Sequence, residues 1–217
     1  MITINELLRQ IILKTPFLEE GIVQGIINLS ALSRKVKPEI EQELMKPVSE
    51  SAILMALKRL IPSLKERQKG REIYLKTEDI TVRSGLTEFT FLKSGTSLKK
   101  KIQLLSVLQE SETNFVTFTQ GVREITMIIN ADLETGLEKI FKTEKLIKKI
   151  TDLAAITIRL SKESVYLPGV HYNILKQLAW HNINVIEVVS TYTELNIILH
   201  KKQIDTSFSI LLNFLSD

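Results

Sequence analysis

Two short apolar runs, Glu124-Ile125-Thr126-Met127-Ile128-Ile129 and Glu194-Leu195-Asn196-Ile197-Ile198-Leu199, stand 70 residues apart and match in pattern position by position. Solenoid repeats recur at roughly 20–50 residues, so a longer period points to duplication of a whole supersecondary unit. The surroundings of the two runs agree with that. In the first, Glu88-Phe89-Thr90-Phe91 reads as a strand and Ser97 caps a helix carrying Leu98, Ile102, Leu105 and Leu108. Strands follow over residues 115–119 and 124–129, and Leu133, Leu137, Ile140 and Phe141 stripe a second helix. In the second, a strand over 155–159 leads to a helix striped by Val170, Ile174 and Leu178. Strands over 185–189 and 194–199 come next, then a helix carrying Ile204, Phe208, Leu211, Leu212 and Leu215. Alternation marks the strands and three-to-four spacing marks the helices. Two βαββα units result. No fourth strand follows the last helix, so that sheet is completed by the segment 145–150 or by a neighbouring chain.

The N-terminal third is helical instead. Ile4, Leu7, Leu8, Ile11 and Ile12 lie at helical spacing, and Pro16 ends that helix or starts the next. Ser30 is placed to cap a short helix through Val36, Pro38 to open the charged segment from Glu39 to Leu44, and Ser49 to cap a helix from Glu50. Ile53, Leu57, Leu60, Ile61 and Leu64 share one face of that last helix, and Pro62 is expected to end or kink it. Residues 72–76 and 79–83 alternate around Thr77-Glu78 as a hairpin. Helices followed by a ribbon resemble a winged helix-turn-helix, over residues 29–36 and 48–60. That resemblance implies a bracing segment, a second helix entering the major groove and a ribbon on the backbone. Lys35, Ser51, Lys58, Arg59, Arg71, Lys76 and Arg83 are the nucleic-acid-binding candidates. The Lys and Arg excess over Asp and Glu is +3 in residues 1–70, +2 in 71–150 and −1 in 151–217, giving the net +4. Such a balance tolerates a nucleic-acid partner without requiring one.

The C-terminal unit resembles the ACT domain, a ferredoxin-like ligand-binding module, and in particular the paired ACT domains at the regulatory end of aspartate kinases. The resemblance rests on Leu167-Pro168-Gly169-Val170, Leu175-Lys176-Gln177-Leu178-Ala179, Asn182-Ile183-Asn184-Val185 and Ser190-Thr191-Tyr192-Thr193-Glu194-Leu195. It covers about 67 residues well and residues 86–145 more weakly. Asn182 stands where the family commonly has Gly, and Tyr192 lengthens the family's Ser-Thr-Ser-Glu turn by one residue. The fold class expected is therefore α+β: a winged-helix-like helical module over residues 1–85, a first ACT-like domain over 86–150 and a second over 151–217.

A glycine before a helix lets the chain turn closely over a ligand, and the first amides of that helix face a carboxylate. The resemblance places ligands between the first loop and helix of one unit and the second strand of its partner. The candidates are Leu167, Pro168, Gly169, Val170, His171, Asn182, Ile183 and Asn184, with Gly95, Thr96, Ser97 and Asn114 from the first copy. An amino acid is the expected ligand, its ammonium held by Asn184 or a carbonyl at Asn182 or Ile183. The turn glycine and these asparagines also have a purely structural reading, and some ACT units only dimerise.

Other chemistry is poorly supported by the residues. His171, His181 and His200 are scattered, so no metal or other cofactor is expected. Phosphate-cradling glycine loops and nucleophile elbows are missing from the sequence, and with no cysteine it has neither disulfides nor thiolate nucleophiles. With 44% hydrophobic and 25% charged residues the chain can bury a core, yet no apolar run approaches the roughly 20 residues of a membrane span. The start lacks the basic residues of a signal peptide, so a cytoplasmic protein with no membrane partner is expected. The reading is a noncatalytic amino-acid sensor, homodimeric through its ACT domains. Its output is either DNA binding, as a ligand-responsive transcriptional regulator, or docking, as a detached regulatory or scaffolding subunit of an amino-acid biosynthetic enzyme such as an aspartate kinase.

Overall fold

A computed structural model describes residues 2–15, 17–73, 77–108 and 114–216. The chain forms two compact units, residues 1–73 and 74–217.

The first unit is four helices: α1 (Ile4–Lys14), α2 (Leu18–Val23), α3 (Leu29–Leu44) and α4 (Glu50–Ile73). Its core is aliphatic, with Leu8, Ile12, Ile40, Ile53 and Leu57 almost wholly removed from water. Thr3 and Glu6 form a reciprocal capping box at the start of α1, which satisfies two otherwise orphaned amides. Ser49 caps α4 as its position implies, accepting from the Ala52 amide at 3.2 Å. Pro16 lies outside the described residues, and the expectations for Ser30, Pro38 and Pro62 need correcting. Asn28, not Ser30, caps α3, its Oδ1 accepting from the amides of Ser30 and Ala31 at 3.0 Å. Pro38 lies inside α3 and Pro62 inside α4, and neither ends its helix. Each proline costs one intrahelical hydrogen bond. Buried neighbours on both sides, Val36 and Ile40 in α3, Leu57 and Leu64 in α4, hold the helices to the core across the gap.

The expected wing is also corrected. Glu72 and Ile73 are the last residues of α4, and residues 74–76 lie outside the described residues. Asp79–Arg83 pair with Ala155–Arg159, far along the chain, rather than with a local hairpin partner. The competing strand is a run of buried residues, including Ile156 and Ile158, and packing against it outweighs a polar two-stranded ribbon.

The second unit is built from β1 (Thr77–Leu92), α5 (Ser97–Leu108), β2 (Val116–Gln120), β3 (Glu124–Asn130), α6 (Glu134–Phe141), β4 (Leu146–Leu160), α7 (Val170–Trp180), β5 (Glu187–Ser190), β6 (Glu194–His200) and α8 (Ile204–Ser216). Its six strands lie in the order β2-β3-β1-β4-β6-β5, with antiparallel neighbours throughout. β1 and β4 are long because each serves both repeats. From Leu86 onward β1 belongs to the first repeat, whose fourth strand is the start of β4: Glu88 pairs with Ile150 and Phe89 with Lys149. From Leu153 onward β4 belongs to the second repeat, whose fourth strand is the start of β1: Ile80 pairs with Ile158 and Val82 with Ile156. Residues 145–150 therefore complete the first repeat, while the second is completed from within the chain by residues 77–84. The sheet unit begins before residue 85, because that strand is needed here.

Gly85 and Asp152 mark the crossing from one half to the other. Both have positive φ, 73° and 56°, and the β1–β4 register shifts around Gly85. Bulges of this kind bend strands and sharpen their twist. Two cores lie under the helices, Phe89, Phe91, Met127 and Phe141 beneath α5 and α6, and Ile156, Ile158, Ile174 and Leu195 beneath α7 and α8. A third lies on the helix-free side, where Leu86, Ile128, Leu153, Ala155 and Ile198 are 0–1% exposed. Helices cover only one face, so the sheet curls until its two halves cover each other.

Candidate ligand site

The end of β4, the start of α7 and the β5–β6 turn converge in the second repeat. Leu160 donates its amide to the Thr193 carbonyl at 2.7 Å and the Thr191 amide donates to the Glu194 carbonyl at 2.9 Å, so the turn is tied to the strand end. From Ser161 the chain makes a 3-10 turn over residues 162–166, held by the Ser164 amide on the Ser161 carbonyl. Gly169 then opens α7 at φ 92°, a conformation strained for any residue with a Cβ. The Asn173 amide reaches the Gly169 carbonyl at 2.9 Å, which leaves the amides of Val170 and His171 outside the helix ladder and aimed past its N-terminus. Here lies a cavity of about 220 Å³, bounded by Leu167, Val170, His171, Ser164 and the turn from Ser190 to Glu194. The Ser161 hydroxyl in the same loop is buried without a partner among the described residues.

Leu167, Val170 and His171 thus line a cavity, whereas Pro168 and Gly169, between them in the chain, are not among its lining residues. Asn182, Ile183 and Asn184 do not meet them within one chain. They follow the far end of α7, whose 11 residues span about 16 Å. Their local role is to stop the helix. The Ile183 amide bonds the Leu178 carbonyl, the Asn182 amide bonds the Ala179 carbonyl, and Asn182 takes φ 55°. This is a Schellman stop with asparagine at the left-handed position where glycine is usual, which accounts for Asn182 physically. Ile183 packs into the core with Leu178, while Asn184 is exposed. The Ser190–Glu194 turn, Ser161 and Ser164 were not among the candidates. The inserted Tyr192 was the sequence signal for the turn, since a lengthened turn facing a helix start changes the shape of whatever lies between.

The first repeat differs at the equivalent place. Gly95 and Thr96 precede α5, and Ser97 is its first residue rather than its cap. The Glu144 carboxylate lies against this loop, accepting from Thr96 Oγ1 at 2.6 Å and from Lys100 Nζ at 2.8 Å, with only 5% of its side chain exposed. Lys100, Ser94 and Thr96 hold its pKa down at about 2. The protein's own carboxylate therefore lies against the loop that leads into α5. The 70-residue period puts Phe214 at the matching position of the second repeat, and Phe214 packs into the core, while Glu194 is the acid among the residues bounding that cavity. Asn114 lies beyond α5, distant from Thr96 as Asn184 is from Gly169.

Because Glu144 titrates lower in the folded chain than its ordinary 4.5, its stabilisation is complete above that value and is lost as pH falls from 4.5 towards 2. Melting curves across this range should show wild type losing more stability than Glu144→Gln. Equal losses would mean that the carboxylate is not held as described.

The nucleic-acid candidates are divided between the units. Lys35, Ser51, Lys58 and Arg59 are exposed on α3 and α4, whereas Arg83 is exposed on β1 in the sheet unit. Lys76 and the side chain of Arg71 lie outside the described residues. Among the described residues no group of three His, Asp or Glu side chains is arranged to hold a metal, and no helix is long and apolar enough to cross a membrane.

Solved structures match 64–66% of the chain. Aspartate kinase from Synechocystis superposes with a TM-score of 0.55 at 13% identity, over 66% of this chain and 28% of that one. The ligand-free regulatory subunit of aspartate kinase from Thermus thermophilus gives 0.52 at 11% identity, over 64% of this chain and 97% of that one. Over that matched part, the fold is that of aspartate kinase regulatory domains. Aspartokinase III of E. coli, solved with lysine and aspartate in its T-state, matches at 0.51 and 11% identity, over 65% of this chain and 34% of that one. This chain thus spans about a third of the kinase chains it matches but nearly all of the separate regulatory subunit. No protein-family model and no curated protein sequence matches it.

Proposed function

We propose that this chain is a noncatalytic, cytoplasmic regulatory protein that binds an amino acid at the second repeat and acts on a biosynthetic enzyme as a separate subunit. The observation that carries this reading is the asymmetry between the two helix starts. One holds an internal carboxylate, Glu144, and the other is an open cavity at the Val170 and His171 amides, which make no hydrogen bond among the described residues. A ligand carboxylate fits the second as Glu144 fits the first. The ligand's ammonium would be met by residues 182–184 of a second copy. β2 and β5 are the sheet's edge strands, and pairing of β5 with a partner's edge is the route by which that segment comes alongside. The exposed apolar groove around Met55 favours docking over DNA binding for the helical unit.

The test is to melt the protein with each amino acid in turn. A ligand at 100 times its Kd adds about 2.7 kcal/mol, or roughly 5 to 10 degrees for a chain of this length. Gly169→Val, which forces the start of α7 away from φ 92°, should abolish that shift and leave a cooperative ligand-free melt. If no amino acid raises the melting temperature, or if the variant keeps the full shift, the cavity is not the sensor.

A further inference from the structure

We infer that the groove between the start of α1 and the start of α4 is a docking site for an acidic amphipathic segment of another protein. The groove holds about 420 Å³, with Ile2, Leu44 and Met55 among its apolar walls and Lys46 and Arg59 its charged lining residues. α4 spends Ile53, Ala56, Leu57 and Leu64 on its own core, so Met55 is turned outward at 55% exposure, with Ile2 at 52% and Met45, beside Leu44, at 91%. Surfaces that gather exposed methionines adapt to apolar partners, because the unbranched thioether repacks at little cost.

The charges select the partner. No carboxylate lines the groove, and neither Lys46 nor Arg59 has an ion pair among the described residues. Two acids of the same unit are already engaged. Glu6 is held in the capping box by Thr3, and Glu41 accepts from the Val48 amide at 2.8 Å while facing Lys37. An occupant that places apolar side chains between α1 and α4 and a carboxylate at each cation satisfies both requirements, as an amphipathic helix with acidic flanks does. Two cations around an apolar floor are too few for a nucleic-acid backbone, which is held by many phosphate contacts. The site belongs to the helical unit alone, so it fails or stands separately from the amino-acid cavity.

The probe is a fluorescein-labelled designed helix with leucines at i, i+3, i+4 and i+7 flanked by glutamates, and a twin with lysines in their place. Anisotropy titrations on the full chain should show the glutamate helix binding at micromolar concentration and the lysine helix at least tenfold more weakly. The doubly reversed variant K46E/R59E should invert that preference, an outcome that an unfolded protein cannot give. M55D should weaken the glutamate helix at least tenfold without changing the melt. Equal binding of both helices, or no binding of the glutamate helix, overturns the proposal. So does displacement of the helix by dodecanoate at equal or lower concentration, which would make the groove a fatty-carboxylate site. Sedimentation of M55D as a monomer where wild type is a dimer would overturn it as well, assigning the groove to a second copy.

Discussion

A fragment of residues 86–217, cut where the first repeat begins by sequence pattern, should fail to fold, whereas residues 74–217 should unfold in a single cooperative transition. The shorter fragment removes Thr77–Ser84, the strand paired along Ala154–Leu160. Its loss strips the neighbour from one edge of β4, leaves that ladder unpaired and uncovers Ile158, which is 0% exposed in the full chain and faces Ile80. An open apolar edge of that length templates aggregation. Residues 151–217 alone should fare no better, since the second repeat then has three strands for two helices. Circular dichroism and sedimentation of the three fragments decide the matter. A monomeric, cooperatively melting 86–217 would mean that the strand from the first repeat's entry is dispensable.

Much of the sheet unit was legible because strand and helix patterns repeat at a fixed interval. β3 and β6 occupy Glu124–Asn130 and Glu194–His200, where the matching runs placed them, and α6, α7 and α8 follow their apolar stripes. What the pattern could not show was the ownership of residues 77–84. Alternation marks a strand without naming its partner, and a local hairpin and a pairing 72–80 residues away leave the same signature from Asp79 to Arg83. Pro38 and Pro62 misled for the opposite reason: a local rule was overridden by burial of the residues around them. At the site, Leu167, Val170 and His171 could be found because Pro168-Gly169 announces a turn into a helix. Glu144 could not, since a single carboxylate in a charged segment carries no mark of the loop it will meet some fifty residues earlier.

The inward face of the curled sheet carries a second carboxylate whose behaviour is opposite to that of Glu144. Glu88 lies between Ile128 and Ile150 on the helix-free side, 7% exposed, and its Oε2 is buried with no partner among the described residues. Thr90 Oγ1 offers its other oxygen a long contact of 3.4 Å. Burial raises its pKa first, and the carboxylate of Glu187 on β5, itself raised by burial, adds to the effect. The folded chain therefore binds a proton at Glu88 over a range above 4.5 in which the unfolded chain has released it. The group costs nothing below about pH 4.5 and withdraws stability as pH rises through its folded value. Glu88→Gln keeps the shape and removes the charge, so at pH 8 it should stabilise the protein by about 2 kcal/mol, the scale of an unpaired buried polar group. The gain should shrink towards zero at pH 4. Glu187→Gln should act in the same direction but less, because Glu187 is only partly buried at the sheet edge. Urea unfolding of both variants at the two pH values measures this directly. A Glu88→Gln protein that is weaker at pH 8 would mean that the carboxylate is ionised and satisfied, and that the two half-sheets close on a bound cation or on water rather than on an unpaired acid.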